Sequence, residues 1–189
     1  MGKAFRIVMG TVFVLLFTAA SVTTGLAHRP VIVESGGTEN DPVVVEEPEI
    51  SWAYYGRLDG EPCYFRITSA EPFTLYINIL VPDYEPDGEP VLSHDLSFEV
   101  LEQKSLLYRA DGGLFLWKRF YEPYGRDHYY MGPEYEKDVG AGEYTVRVFS
   151  PDNEGNYSLA IGTIEKFTVF SLIDAMIKAG SLDDWFFRK

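Results

Sequence analysis

The chain has 189 residues, 46% of them hydrophobic and 15% aromatic, with 13 Tyr and 13 Phe. That length and content suit one folded, β-rich domain and exclude a disordered acidic chain. The formal net charge is −13, and since Lys3 and Arg6 stand at the very start, the remainder is more acidic still; such a surface repels phosphate backbones and excludes nucleic acid as a partner.

Lys3 and Arg6 precede an uncharged stretch from Ile7 to Ala27 that ends in small residues at Gly25 and Ala27. A basic start, an apolar middle and small residues before a cleavage point are the parts of a secretory signal. The same stretch also reaches the roughly 20 residues that span a bilayer. Residues 1–27 are therefore read as a signal peptide cleaved after Ala27 or as an uncleaved anchor helix. Either way the rest lies outside the cytoplasm: secreted, periplasmic or held on the outer face of the cytoplasmic membrane. Residues 28–48 are rich in Val, Glu, Gly and Pro, lack aromatics, and read as a flexible spacer. Within them Val43-Val44-Val45 is a candidate edge strand.

Residues 49–168 carry the signals of a β-sandwich. Ile50 to Tyr55, closed by Gly56, is a first strand, and Cys63 to Ile67 a second. Phe73, Leu75, Ile77, Ile79 and Val81 then alternate with Thr74, Tyr76, Asn78 and Leu80 until Pro82. Leu96, Phe98 and Val100 make another half-buried strand. Leu106–Arg109 and Leu114–Phe120 flank Asp111-Gly112-Gly113, which predicts a hairpin. Glu122 to Gly132 reads as a long aromatic loop, and Tyr135 to Val139 as a further strand. In Gly142–Gly162, two alternating runs flank Pro151-Asp152-Asn153-Glu154-Gly155 and predict an antiparallel hairpin.

After Thr168 the period changes. Ser171 to Asp174 has capping-box character, and Leu172, Ile173, Met176 and Ile177 recur at helical spacing. Residues 169–189 thus read as a short C-terminal helical tail ending in Trp185-Phe186-Phe187-Arg188-Lys189. That tail suits packing on the sandwich, or docking at a membrane surface. The sequence as a whole predicts an all-β protein: an antiparallel β-sandwich or jelly roll of about eight strands, flanked by a signal or anchor helix and a C-terminal helix.

The runs Leu58–Ile67, Phe73–Ile77, Ala141–Val148 and Gly155–Leu159 resemble bacterial pre-peptidase C-terminal domains, secreted jelly-roll modules attached to exported enzymes. The resemblance spans Tyr55 to Gly162. His94–Val100 keeps only one Asp-Leu step of the alternation usual in the family's middle strand. No peptidase domain accompanies the module in this chain. The resemblance implies the fold and an accessory, binding-type role.

Catalytic patterns are scarce. His28, His94 and His128 are far apart, and Ser93-His94-Asp95 are adjacent, so strand neighbours among them point to opposite faces. The single cysteine, Cys63, excludes a disulfide framework and a Cys-based zinc site, and reads as a small buried residue. Asp83, Glu85 and Asp87, followed by Gly88, have the spacing of the first half of a calcium loop; the same residues equally suit a solvated acidic turn. No cofactor other than this Ca²⁺ is expected. Tyr121, Tyr124, Arg126, Tyr129 and Tyr130 concentrate aromatic faces beside charge and form a candidate ligand site, or else cover an end of the sandwich. Asn156-Tyr157-Ser158 matches a glycosylation sequon. These residues predict a non-enzymatic, extracytoplasmic binding or accessory module with a protein or glycan ligand at the envelope. The alternative is a structural subunit that docks on a membrane complex through its C-terminal tail, with membrane contact at either terminus.

Overall fold

Alternation with a period of two puts one set of side chains from each strand on a common face, and two such faces meet here. The computed structural model describes residues 28–34, 37–123, 126–166, 182 and 185–187. Among the described residues there are eleven strands: β1 Arg29–Ile32, β2 Val43–Val45, β3 Trp52–Asp59, β4 Cys63–Ser69, β5 Phe73–Pro82, β6 Ser97–Glu102, β7 Ser105–Ala110, β8 Lys118–Glu122, β9 Asp127–Val139, β10 Gly142–Phe149 and β11 Glu154–Ile161. They form a six-stranded sheet, β1-β3-β11-β5-β9-β8, and a five-stranded sheet, β2-β4-β10-β6-β7. The protein is an all-β sandwich. Its core joins Phe65, Ile67, Phe98, Val100, Tyr144, Val146 and Val148 from one sheet to Tyr54, Leu58, Leu75, Ile77, Ile79, Tyr157, Leu159 and Ile161 from the other. Each such side chain contributes about 1.5–3 kcal/mol on full burial.

The sheets are mixed rather than purely antiparallel. β1 runs parallel to β3 and β2 parallel to β4, each at a sheet edge. Both strands come from residues 28–48, expected to be a spacer; β2 is the candidate edge strand Val43–Val45, and β1 was not expected. The edges of β3 and β4 offer unpaired backbone groups, and Val43 and Val45 turn inward beside Phe65 and Ile67. β3 also runs straight through Gly56, a glycine because a Cβ at that position would overlap the buried Tyr157 ring.

Neither predicted hairpin forms. β10 lies in the five-stranded sheet between β4 and β6, while β11 lies in the six-stranded sheet between β3 and β5. The turn between them is a crossing from one sheet to the other. The chain crosses again between β7 and β8. There Asp111 caps a 3-10 turn, Gly112–Leu114, by accepting from the Gly113 amide at 3.1 Å. The Trp117 indole donates to the Gly112 carbonyl at 2.9 Å and holds the crossing down. The aromatic loop is likewise a β8–β9 hairpin, paired from Lys118↔Met131 to Glu122↔Asp127.

The predicted N-terminal helix lies outside the described residues, as does most of the predicted C-terminal helix. Among the described residues no helix is long and apolar enough to cross a membrane. At the C-terminus the Phe186 amide donates to the Leu182 carbonyl at 2.8 Å, the bond of one helical turn. Leu182 and Phe186 are buried against Leu80, Tyr129 and Ala160 on the outer face of the six-stranded sheet. This second cluster explains why β11 is buried on both faces from Asn156 to Ile161.

Gly112 sits where a Cβ would overlap the Leu96 carbonyl oxygen, whereas nothing lies within 4 Å of a Cβ on Gly140. Gly112→Ala is expected to destabilise the protein by about 2 kcal/mol or more, and Gly140→Ala by under about 0.5 kcal/mol. Denaturant unfolding of the two variants beside the parent checks the contrast.

Candidate functional site: an acidic cleft at one end of the sandwich

Pro82 ends β5, and the backbone then turns along the end of the sandwich. The Asp83 amide still donates to the His128 carbonyl at 2.9 Å, extending the β5–β9 pairing by one residue. The Asp83 side chain is 3% exposed, and its two oxygens are both engaged. One accepts from the Glu85 amide at 3.1 Å, an Asx turn; the other accepts from Arg119 Nε at 2.8 Å. Arg119 comes from β8 and also donates from Nη1 to the Gly88 carbonyl and from Nη2 to the Glu85 carbonyl, both at 2.8 Å. The guanidinium therefore holds one carboxylate oxygen and two carbonyl oxygens, the donor types that a calcium ion uses. Glu85 and Asp87 are exposed on the loop. Among the described residues no group of three or more His, Cys, Asp or Glu gathers as a metal requires.

The loop forms one wall of a cleft of about 440 Å³. Val81, Leu96 and Tyr130 make its floor, and the Tyr130 hydroxyl accepts from the Val91 amide at 2.9 Å. His94 is wedged between Trp117 and Tyr130, with ring centroids 5.0 and 4.8 Å away. Burial lowers its pKa, while Asp83 and Asp95 act in the opposite direction. The opposite wall is the crossing from β10 to β11. Asp152 accepts there from the Ser150 hydroxyl at 2.9 Å and from the Glu154 amide at 3.2 Å. Those two hydrogen bonds hold its carboxyl below the usual carboxylate range. Glu89, Asp95 and Glu154 stand exposed around the opening. The cleft has an apolar floor and an anionic rim.

The predicted aromatic site is not assembled. Successive residues of a strand face opposite ways. Tyr130 enters the core, while Tyr129 enters the second cluster, where its ring lies 5.3 Å from Phe187 and its hydroxyl 3.3 Å from that of Tyr55. Tyr121 is 49% exposed and has the exposed His128 ring 4.8 Å away. Arg126 is exposed in the turn with a left-handed φ of 63°. Tyr124 lies outside the described residues. The three histidines also stay apart, since His28 hydrogen-bonds Ser51. Cys63 is buried beneath Gly37, and burial pushes its thiol up.

The sequence offered no signal for Arg119, and it named His94 and Asn156 without placing them at the cleft. Asn156, the sequon residue, is buried, and its side-chain amide donates to the Phe186 carbonyl at 2.8 Å, the Trp185 carbonyl at 3.3 Å and the Tyr84 hydroxyl at 3.2 Å. It ties the tail to the sheet beside the cleft.

The class that these elements define is a mixed-sheet β-sandwich with a cleft at one end. No protein-family model matches the chain, and no curated protein matches it. Among solved structures it is similar to the pre-peptidase C-terminal domain of a collagenase from Bacillus anthracis, at 11% identity and a TM-score of 0.34, covering 74% of this chain and 97% of that one.

Replacing Arg119 by Met leaves the Asp83 carboxylate buried beside unmatched carbonyls. A loss of about 2 kcal/mol is expected, below the fully buried range because Arg119 is itself 31% exposed. Thermal unfolding checks it, and added Ca²⁺ is expected to leave the parent curve unchanged. A separate test concerns the tail. Burial raises the pKa of Tyr129, with Tyr55 adding to it, and burial raises that of Tyr55 as well. Both phenols are neutral in either state below about pH 10, so their contribution is intact there. Above that, the unfolded chain releases protons that the fold retains, and stability falls. Alkaline tyrosinate titration should show late-ionising tyrosines in the full chain, and fewer of them after deletion of residues 181–189.

Proposed function

We infer that this chain is a non-enzymatic, extracytoplasmic accessory module whose cleft binds a basic segment of a partner protein. The cleft's shape and lining carry this reading. A volume of about 440 Å³ falls within the roughly 300–1,000 Å³ usual for ligand clefts. The floor of Val81, Leu96 and Tyr130 accepts the aliphatic stem of a Lys or Arg side chain, and the carboxylates of Glu89, Asp95 and Glu154 face its charged head. Three of the polar groups nearby have structural partners: Asp83 on Arg119, Ser150 on Asp152, and Asn156 on the tail. That favours binding over catalysis. An extracytoplasmic setting is supported by Lys3 and Arg6 ahead of the uncharged Ile7–Ala27 stretch.

The reading in which the tail docks on a membrane complex has less support. Phe186 is 0% exposed and Leu182 4%, both against their own sheet, so those side chains face inward.

The test is calorimetry of the full chain with Lys/Arg-rich peptides and with Asp/Glu-rich controls. Basic peptides are expected to bind in a salt-sensitive way, and Glu89→Gln combined with Asp95→Asn to weaken them by about three- to tenfold. Equal binding of acidic peptides, or no loss in the double variant, would sink the assignment.

A further inference from the structure

The two outer faces of the sandwich differ. On that of the six-stranded sheet, Leu182 and Phe186 cover the patch of Leu80, Tyr129 and Ala160. Among the described residues that of the five-stranded sheet stays open, with Val44 55% and Leu106 56% exposed and the Arg109 side chain 51% exposed. Strand register sets its outward residues in rows. Tyr64, Arg147, Glu99 and Arg109 lie side by side across β4, β10, β6 and β7. The next row, two residues along, is Val44, Arg66, Thr145, Leu101 and Leu106.

Three arginines thus share one face of an acidic chain. The Glu99 carboxylate accepts from Arg109 Nη1 at 2.8 Å and from Arg147 Nη1 at 3.1 Å. Both guanidiniums lie over the Phe149 ring, 5.0 and 4.6 Å from its centroid. One carboxylate thereby positions two cations without neutralising both. Arg66 adds a third, and Glu143, beside Thr68, is the outward acid at the far end of β10. Arg147 Nε is buried without a hydrogen-bond partner.

We propose that this face binds an anionic, carboxylate-bearing polysaccharide lying flat across β4, β10 and β6. Charge complementarity selects an anionic occupant: the centre of the face is positive although the chain carries −13. Its shallowness selects an extended one. Guanidinium forks pair with sugar carboxylates in a bidentate way, and the Tyr64 ring gives a sugar face a platform. An acidic peptide adding a strand would read a sheet edge rather than this face.

The experiment is affinity electrophoresis of the full chain through gels containing polygalacturonate or neutral dextran. Polygalacturonate is expected to retard the chain, less so as salt rises, and dextran to leave it unretarded. Arg66→Gln with Arg109→Gln should weaken the retardation about fivefold or more, while peptide binding in the cleft persists. The two side chains are exposed, and should the double variant unfold, Arg66→Gln alone serves, with about a twofold loss expected. Absence of retardation, or the same retardation in the folded variant, overturns the proposal. So does equal, arginine-dependent binding of polyglutamate or of vesicles containing phosphatidylglycerol, which would assign the face to an acidic protein or a lipid surface instead.

Discussion

The fold depends on one crossing. β10 is hydrogen-bonded on both sides, by β4 and β6, and β11 likewise by β3 and β5. Neither has an edge free for the other, so the chain between them must pass from the middle of one sheet to the middle of the other. The turn is built for that passage. Ser150 donates its amide to Asn153 Oδ1 at 3.2 Å and its hydroxyl to Asp152, and Asn153 takes a left-handed φ of 53°. Gly155, at φ 114°, completes the change of direction at no steric cost. The crossing delivers the Tyr157 ring beneath Gly56 and edge-on to Phe65, 6.4 Å away. It also sets the second wall of the cleft and places Asn156 under the tail. Core, cleft and tail anchor all depend on these few residues.

Most of the individual strands were legible because alternation is a local property. Phe73 to Val81 became β5, Cys63 to Ile67 lies in β4, and the two runs of Gly142–Gly162 became β10 and β11. Their pairing was not legible. Two alternating runs joined by a few turn residues describe a hairpin and a sheet-to-sheet crossing equally well, and the choice rests on which distant strands occupy the flanks. β4 and β6 claim β10 from roughly 80 and 50 residues upstream. The edge strand β1 was missed for a related reason, whereas the candidate edge strand Val43–Val45 became β2. They are short, lack aromatics, and are ordered by parallel pairing to β3 and β4. Asp111-Gly112-Gly113 misled in its own way: the residues that suit a two-residue turn also suit a capped 3-10 turn with a glycine pressed on Leu96.

The site was legible in composition and not in assembly. The Asp83–Glu89 loop announced itself by its acids, but its organising cation is Arg119, 36 residues away in β8. No local spacing points to it. The aromatic group Tyr121, Tyr129 and Tyr130 dissolved once β9 extended to Asp127, because pleating sends Tyr129 and Tyr130 to opposite faces. Asn156 matched a sequon, and the outer-face position that made it look accessible on an isolated sheet is the one the tail covers. The sequence offered packing of the tail on the sandwich as one reading, but not that it lands on Asn156.

The tail gives the sandwich its polarity. By covering Tyr55, Leu80, Tyr129 and Ala160 it buries both faces of β11 from Asn156 to Ile161, while among the described residues the five-stranded sheet keeps an open outer face. Asn156 holds the tail through backbone carbonyls of Trp185 and Phe186, so those hydrogen bonds do not depend on which side chains the tail carries there. Specificity comes instead from the Phe186 ring, edge-on to Tyr55 at 5.0 Å. The tail thus takes up the Leu80, Tyr129 and Ala160 patch of the six-stranded sheet with the chain's own residues. Apart from it stand an anionic cleft at the end of the sandwich and an arginine-bearing face on its side, opposite in charge and on separate elements. Glu99, Arg109 and Arg147 have no place in the cleft lining, and Asp83 and Arg119 none on the open face. The ligands proposed for these two places are opposite in charge and would call on no residue in common.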